Sequence, residues 1–264
     1  MAPTLRSTRA LRQGLANVSD LPVLYRDDWL IAIDKPSGLL VHRSDLDRHE
    51  TRFALQLLRD QIGRPVYPVH RLDKGTSGVL LFALDPEVGR ELGRQFTAGT
   101  VDKRYLAVVR GYPPEAGVVE HPLAPMADAR AGVASGGAPR PAVTHFRLLA
   151  RAELPYRVDR YPSSRYALVE LRPLTGRRHQ LRRHMKYIAH PIIGDATHGK
   201  GCHNRLFTEL FNSRRLLLAA VRLRLRHPVT GQSLDVRAPP AADFTHVLES
   251  LGWVGLASGS GRVP

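Results

Sequence analysis

Cysteine is almost absent from this chain: Cys202 stands alone among 264 residues. No intrachain disulfide can form, as in proteins of a reducing compartment, and the cytoplasm is the expected location. No run approaches the ~20 apolar residues of a membrane-spanning helix, and no secretory signal opens the chain. The Arg-rich, acid-free start, Met1–Asn17, has the charge of a mitochondrial transit peptide but few apolar residues, so it reads as a short disordered basic arm. The phosphate-cradling Walker loop is missing, as is a dinucleotide-binding Gly-x-Gly-x-x-Gly after a strand. His42, His70, His190, His198 and His203 lack a tight ligand spacing, and Cys202 has no second cysteine to support it, so no metal is expected. Asp45 and Asp47 are flanked by Arg43 and Arg48, which argues against a cation site there.

Acidic residues are scarce as well, 24 against 39 Lys and Arg, leaving a net charge of +15. A balance of this kind implies a polyanionic partner, most commonly nucleic acid. The excess is uneven: residues 172–226 hold thirteen Lys and Arg against only Asp195 and Glu209. A scattered basic surface needs no ligand, whereas this concentration favours a face that follows phosphates.

Strand-like segments outnumber helical ones and do not alternate with them one for one, which predicts an α+β fold rather than a doubly wound parallel one. The region 24–33 reads as strand, Asp-Asp turn, strand, and 79–84 as a buried strand. Helices are expected over 51–62, 86–96, 177–188 and 243–251, and further strands over 104–109, 142–149, 165–171, 216–225 and 233–236. Residues 127–141 read as a flexible loop rich in Gly and Ala. The expected organisation is a basic arm over 1–20, one domain over 21–253 and a flexible tail over 254–264.

The most informative segment is His70-Arg71-Leu72-Asp73-Lys74-Gly75-Thr76-Ser77-Gly78. Arg71 and Lys74 flank Asp73, and nearby positive charge keeps a carboxylate ionised, which suits a nucleophile or base better than a general acid. An Asp before Gly can equally be a turn former. Two further segments carry candidate chemistry. Lys103-Arg104-Tyr105 places an aromatic beside two cations in a strand, able to stack on a base or simply to fill a core. Thr175-Gly176-Arg177-Arg178-His179-Gln180-Leu181-Arg182-Arg183 turns into a helix, putting Arg177 near an N-terminus where an anion is favoured.

Together these segments resemble the RluA-type pseudouridine synthases, over about Leu21 to Trp253. Tyr25-Arg26-Asp27-Asp28 with Lys35-Pro36-Ser37-Gly38 matches that family's N-terminal signature, and His190-Pro191-Ile192-Ile193-Gly194-Asp195 a pattern framing its cleft. The resemblance implies a pseudouridine synthase fold: a mixed, largely antiparallel sheet, flanking helices and a central RNA-binding cleft. It implies Asp73 as the essential catalytic residue, Arg177 as its salt-bridge partner, Tyr105 stacked on the uracil, and Arg71 in the place of the flipped-out base. Lys74, Lys103, Arg104, Arg178, His179, Gln180, Arg182, Arg183 and Lys186 are then expected to line the RNA. No cofactor is implied, and a monomer is expected.

Val41-His42-Arg43-Ser44 with Leu46-Asp47-Arg48, Pro141-Ala142-Val143-Thr144-His145, Arg160-Tyr161-Pro162 with Arg165-Tyr166, and His203-Asn204-Arg205 look closer to the tRNA pseudouridine-65 synthases than to the rRNA-modifying members. Ala219, where that subgroup tends to have histidine, and the 127–141 loop depart from its pattern. Three alternatives stand beside this reading: an rRNA pseudouridine synthase, a non-catalytic RNA-binding protein, and a glycoside hydrolase. The last needs a second carboxylate, and the match around Asp73 supplies cations instead.

Overall fold

The computed structural model describes residues 20–43, 50–126 and 137–256. The basic arm up to residue 19, Ser44, Leu46-Asp47-Arg48, most of the 127–141 loop and the end of the tail lie outside the described residues. A single mixed sheet forms the frame. The hairpin β1 (Val23–Arg26) and β2 (Leu30–Lys35) is closed by Asp27, whose carboxylate accepts the N–H groups of Trp29 and Leu30. Beyond it lie β3 (Tyr67–Pro68), β4 (Ser77–Ala83), β5 (Asp102–Arg110) and β6 (Ala116–Glu120). The remaining strands are β7 (Val143–Leu154), β8 (Ser164–Pro173), β9 (Leu218–Arg226) and β10 (Ser233–Arg237). Their order is β1-β2-β4-β9-β5-β8-β7-β6, with β10 beside β9 and β3 beside β4.

All pairings are antiparallel except β4 with β9, which run parallel through Ser77 opposite Ala219 and Gly78 opposite Ala220. The expected mixed, largely antiparallel α+β architecture is therefore present. Every residue of β4 is buried, as its unbroken apolar run requires.

Alternation along the strands sends side chains to opposite faces, and helices cover both. Ala54 and Leu58 of α1 (Ala54–Ile62) meet Ile31, Ile33, Leu80 and Phe82. Val88 and Leu92 of α2 (Pro86–Ala98) meet Val79, Leu81 and Leu223. Leu181 and Met185 of α3 (Gln180–Tyr187) cover Ala107, Val109, Val169 and Leu171. On the other side of the same strands, Phe207 of α4 (Gly201–Phe211) and Phe244 and Val247 of α5 (Ala242–Ser250) cover Leu106, Val108 and Leu168. The start of α2 follows from its sequence: Asp85 accepts the N–H groups of Glu87 and Val88, and Pro86 occupies the first turn.

Three differences from expectation bear on function. Helix α3 begins at Gln180 rather than Arg177, because His179 sits in the left-handed region at φ 53° and interrupts the helical path. Helix α4 has no sequence-level start signal: Lys200 gives no side-chain cap, and the helix is held by burying His203, Leu206 and Phe207. Two short strands, β3 beside β4 and β6 beside β7, are additions to the strands that the sequence predicts.

Candidate active site

Asp73 lies on the loop between β3 and β4, and that loop is clamped from two sides. From the first, the Lys74 carbonyl accepts Gly38 N–H at 2.8 Å, and Ser37 Oγ donates to the Gly75 carbonyl at 2.8 Å. Lys35 is fully buried, and its ammonium donates to the carbonyls of Pro36, Leu39 and Lys74 at 2.8, 2.7 and 3.3 Å. Burial pulls the Lys35 pKa down to about 7, against the upward pull of the Asp73 charge. Through these three bonds Lys35 ties the end of β2 to the loop that carries Asp73. From the second side, Gly78 (φ 107°) lies so close to β9 that a Cβ there would stand 2.1 Å from the Ala220 carbonyl oxygen. Only glycine allows that approach. Arg215 adds a bond of 2.6 Å to Ser77 Oγ.

The cation facing Asp73 is Arg182, whose Nη1 stands 3.1 Å from Asp73 Oδ2. The same guanidinium grips Asp195 through Nε at 2.7 Å and Nη2 at 2.8 Å. Asp195 Oδ1 also accepts the N–H groups of Thr197 and His198, each at 2.9 Å. Burial alone would lower the Arg182 pKa; the bonds to Asp195 and the charge of Asp73 hold it above its ordinary value. Burial would raise the Asp195 pKa, and the Arg182 bond with the His198 N–H brings it below the usual carboxylate value. The result is an ordered line, Asp195–Arg182–Asp73, in which the last carboxylate alone keeps partial exposure.

The expected partner, Arg177, is not in this line. It is exposed, and its Nε donates to the Pro141 carbonyl at 3.1 Å. The reason is local. Gln180 Oε1 accepts the Arg177 N–H at 3.0 Å and Thr175 Oγ1–H at 2.7 Å, which folds residues 175–180 into a tight turn before the helix. Arg177 is left outside, and Arg182, inside the first turns of α3, faces the loop.

Tyr105 on β5 pairs with Ala220 and Leu171 and packs against two of the hydrophobic cores. Burial raises its phenol pKa, and the Asp73 charge raises it further, so the hydroxyl stays protonated. His179 Nε2 lies 4.0 Å from Asp73 Oδ1, and His179 Nδ1 lies 3.1 Å from His198 Nε2. Burial brings the His179 pKa down to about 4 despite the Asp73 charge, leaving the ring neutral at pH 7.

Several residues expected to line the RNA are engaged elsewhere. Lys103 is buried, its Nζ 3.5 Å from the Thr175 carbonyl. Arg104, one residue along the strand, emerges on the opposite face and pairs with Asp102 and Glu170. Gln180 is buried and also donates to the Val143 carbonyl and Thr144 Oγ1, so it fastens the loop. Arg182 is committed to carboxylates. Arg71, Lys74 and Lys186 are exposed, Lys74 pairing with Glu50 at 2.6 Å, and Arg178 and Arg183 are half-buried. Sequence reasoning missed Asp195 as the residue that orders the site; its signal was its place in the cleft-framing pattern, ending Pro191-Ile192-Ile193-Gly194-Asp195. Gly194 in that pattern has φ 78° and lies against the Arg215 carbonyl, where a side chain would not fit.

Residues 29–187 match the family described as RNA pseudouridylate synthase. Proteins named tRNA pseudouridine synthase C share 47% identity in Vibrio cholerae (88% of this chain, 96% of the relative) and 48% in Yersinia pestis (92% and 95%). One from Pectobacterium carotovorum is 50% identical over 92% of this chain, which spans 65% of that relative's length. Among solved structures, human RNA pseudouridylate synthase domain containing 1 superposes with a TM-score of 0.67 at 25% identity, covering 95% of this chain and 99% of its own. Human RNA pseudouridylate synthase domain containing 4 gives 0.65 at 27% identity, covering 88% and 93%. With an Asp–Arg–Asp line at the mouth of a mixed sheet and matches of this extent, the chain belongs to the RNA pseudouridylate synthase family.

Proposed function

We propose that the chain isomerises a uridine of tRNA to pseudouridine, with Asp73 as the nucleophile or base. The observation that carries this reading is the Arg182–Asp73 contact, backed by Asp195, which holds a carboxylate at a partly open position. In the reaction the N1–C1′ bond of uridine breaks, the uracil turns, and a C5–C1′ bond forms. The C5 proton leaves and N1 regains one, so atoms balance with no redox step or group transfer. Asp73 acts on the ribose or the uracil, by attack at C1′, attack at C6 or removal of the C2′ proton. Tyr105, neutral and held in β5, supplies a flat face for the uracil. Arg71, exposed two residues before Asp73, enters the place that the uridine leaves; flipping a paired base costs a few kcal/mol, and such occupation offsets part of it.

The tRNA substrate is supported by the names of the relatives, and position 65 by the resemblance of residues 41–48, 141–145 and 203–205 to that subgroup. The enzyme works as a monomer in the cytoplasm. The test is to incubate the protein with unmodified tRNA and rRNA transcripts and to map the converted uridine. Asp73→Asn should bind tRNA yet convert none. Conversion by that variant, or conversion confined to rRNA, would overturn the assignment.

A further inference from the structure

Four arginines surround a cavity of about 150 Å³ beside α3: Arg140, Arg177, Arg178 and Arg183. Two are fixed by backbone carbonyls, Arg177 by Pro141 and Arg183 by Ala124 at 2.9 Å. Arg140 is placed opposite them by a two-bond backbone bridge to Leu123, at 2.9 and 3.0 Å. The Nε–H of Arg178 is buried without an acceptor among the described residues.

Among the described residues, none of the four pairs with a carboxylate, whereas Arg104, Arg147, Arg165, Arg172, Arg182, Arg215, Arg222 and Arg237 all do. Like charges gathered around one cavity favour an anion between them, and a buried N–H with no acceptor costs ~1–3 kcal/mol. An anion placed among them satisfies both. The cavity has the volume of several water molecules at ~30 Å³ each, and the planar forks of arginine match the oxygens of a phosphate.

We infer that this cavity receives one phosphodiester of the RNA backbone next to the target uridine, held by Arg140, Arg178 and Arg183 with Arg177 at its rim. Arg182 and Arg183 are consecutive residues of one helix. The first turns to Asp73 and the second to the cavity, so a strand that delivers its base to Asp73 passes its backbone here. The inference rests on the proposed RNA substrate, and it names a site that the sequence left as a diffuse basic face. Arg140 in particular lies outside every motif of the sequence.

The test is a binding measurement in the Asp73→Asn background, using tRNA transcripts in which single phosphates near the converted uridine are replaced by neutral methylphosphonates. One replacement should weaken binding to the Asp73→Asn protein about tenfold, yet have little further effect once Arg140→Gln or Arg178→Gln is added. Those added substitutions should lower the slope of log affinity against log salt by about 0.7–0.9. Arg140 is exposed, so Arg140→Gln folds as the parent does, which a thermal melt verifies. Absence of coupling at every phosphate would overturn the inference. So would a rise in melting temperature with inorganic phosphate, abolished by Arg140→Gln, with no coupling to RNA; that result would make the cavity a free-anion site. Failure of the wild-type protein to convert any uridine would overturn the proposed function, while the coupling would still decide the cavity.

Discussion

Arg182 joins two carboxylates that differ in exposure: Asp195, whose side chain is fully enclosed, and Asp73, whose side chain keeps 19% of its surface open. The buried end fixes the guanidinium, and the guanidinium fixes the open end. Arg182→Ala would leave Asp195 charged and unpaired, at a cost of ~3–5 kcal/mol, read as a lower urea midpoint. Arg177→Ala should change stability by no more than ~0.5 kcal/mol, since its side chain is exposed. Equal loss in the two would contradict the pairing.

Asp195→Asn separates positioning from chemistry. The amide keeps one acceptor for Arg182 but donates where the carboxylate accepted, so the guanidinium loses its aim on Asp73. Misplacement of a reacting group by ~1 Å costs on the order of 100-fold in rate. Turnover should therefore fall by that order while the tRNA affinity, measured by filter binding, stays near that of the wild type. An equal rise in KM with kcat unchanged would refute a positioning role.

Two glycines should respond in opposite directions. Gly78→Ala forces a Cβ into the Ala220 carbonyl at positive φ and should destabilise by ~3 kcal/mol or more. Gly93, inside α2 with open space around its Cα, should become a stabilising site: Gly93→Ala gains ~0.5–1 kcal/mol. Chemical denaturation of both variants checks the pair.

Stability should fall on acidification through the histidine range. Burial lowers the pKa of His70 to about 3 and those of His179 and His203 to about 4. The unfolded chain takes up protons on these rings near pH 6.5 and the folded one does not, so stability is full above that pH and declines towards pH 4. A histidine whose pKa falls from its ordinary value to about 4 contributes ~3 kcal/mol. Urea midpoints measured from pH 8 to 4 should be flat above 7 and drop below 6.5; a flat profile down to pH 4.5 would refute the assignment.

The frame was largely legible because its strands carry strong patterns. The continuous apolar run 79–84, too short for a typical helix, reads as a buried strand, and Asp85-Pro86 marks the start of α2. Helix α4 was not legible, because its stability comes from packing Phe207 and His203 against β8, where His203 Nδ1 lies 2.8 Å from Tyr166 Oη. In the site, Asp73 and Tyr105 stood out by residue type and neighbours. Choosing between Arg177 and Arg182 needed the start of α3, and that depends on one left-handed residue, His179, and on the side chain of Gln180. Neither conformation leaves a mark in composition or periodicity. Asp195 was visible only as part of a pattern, since its partner lies thirteen residues away on a helix.

Strand β9 sits between β4 and β5, although it is made more than a hundred residues after either of them. A chain emerging from the ribosome therefore has Asp73, Tyr105 and Arg182 all in solution before the strand that joins their two halves of the sheet exists. Until Leu218–Arg226 arrives, the edges of β4 and β5 are open, and unpaired edges of that kind invite mispairing. Assembly of the proposed site is then a single late insertion, and a nascent chain halted short of β9 holds Asp73, Tyr105 and Arg182 without the sheet that brings them together.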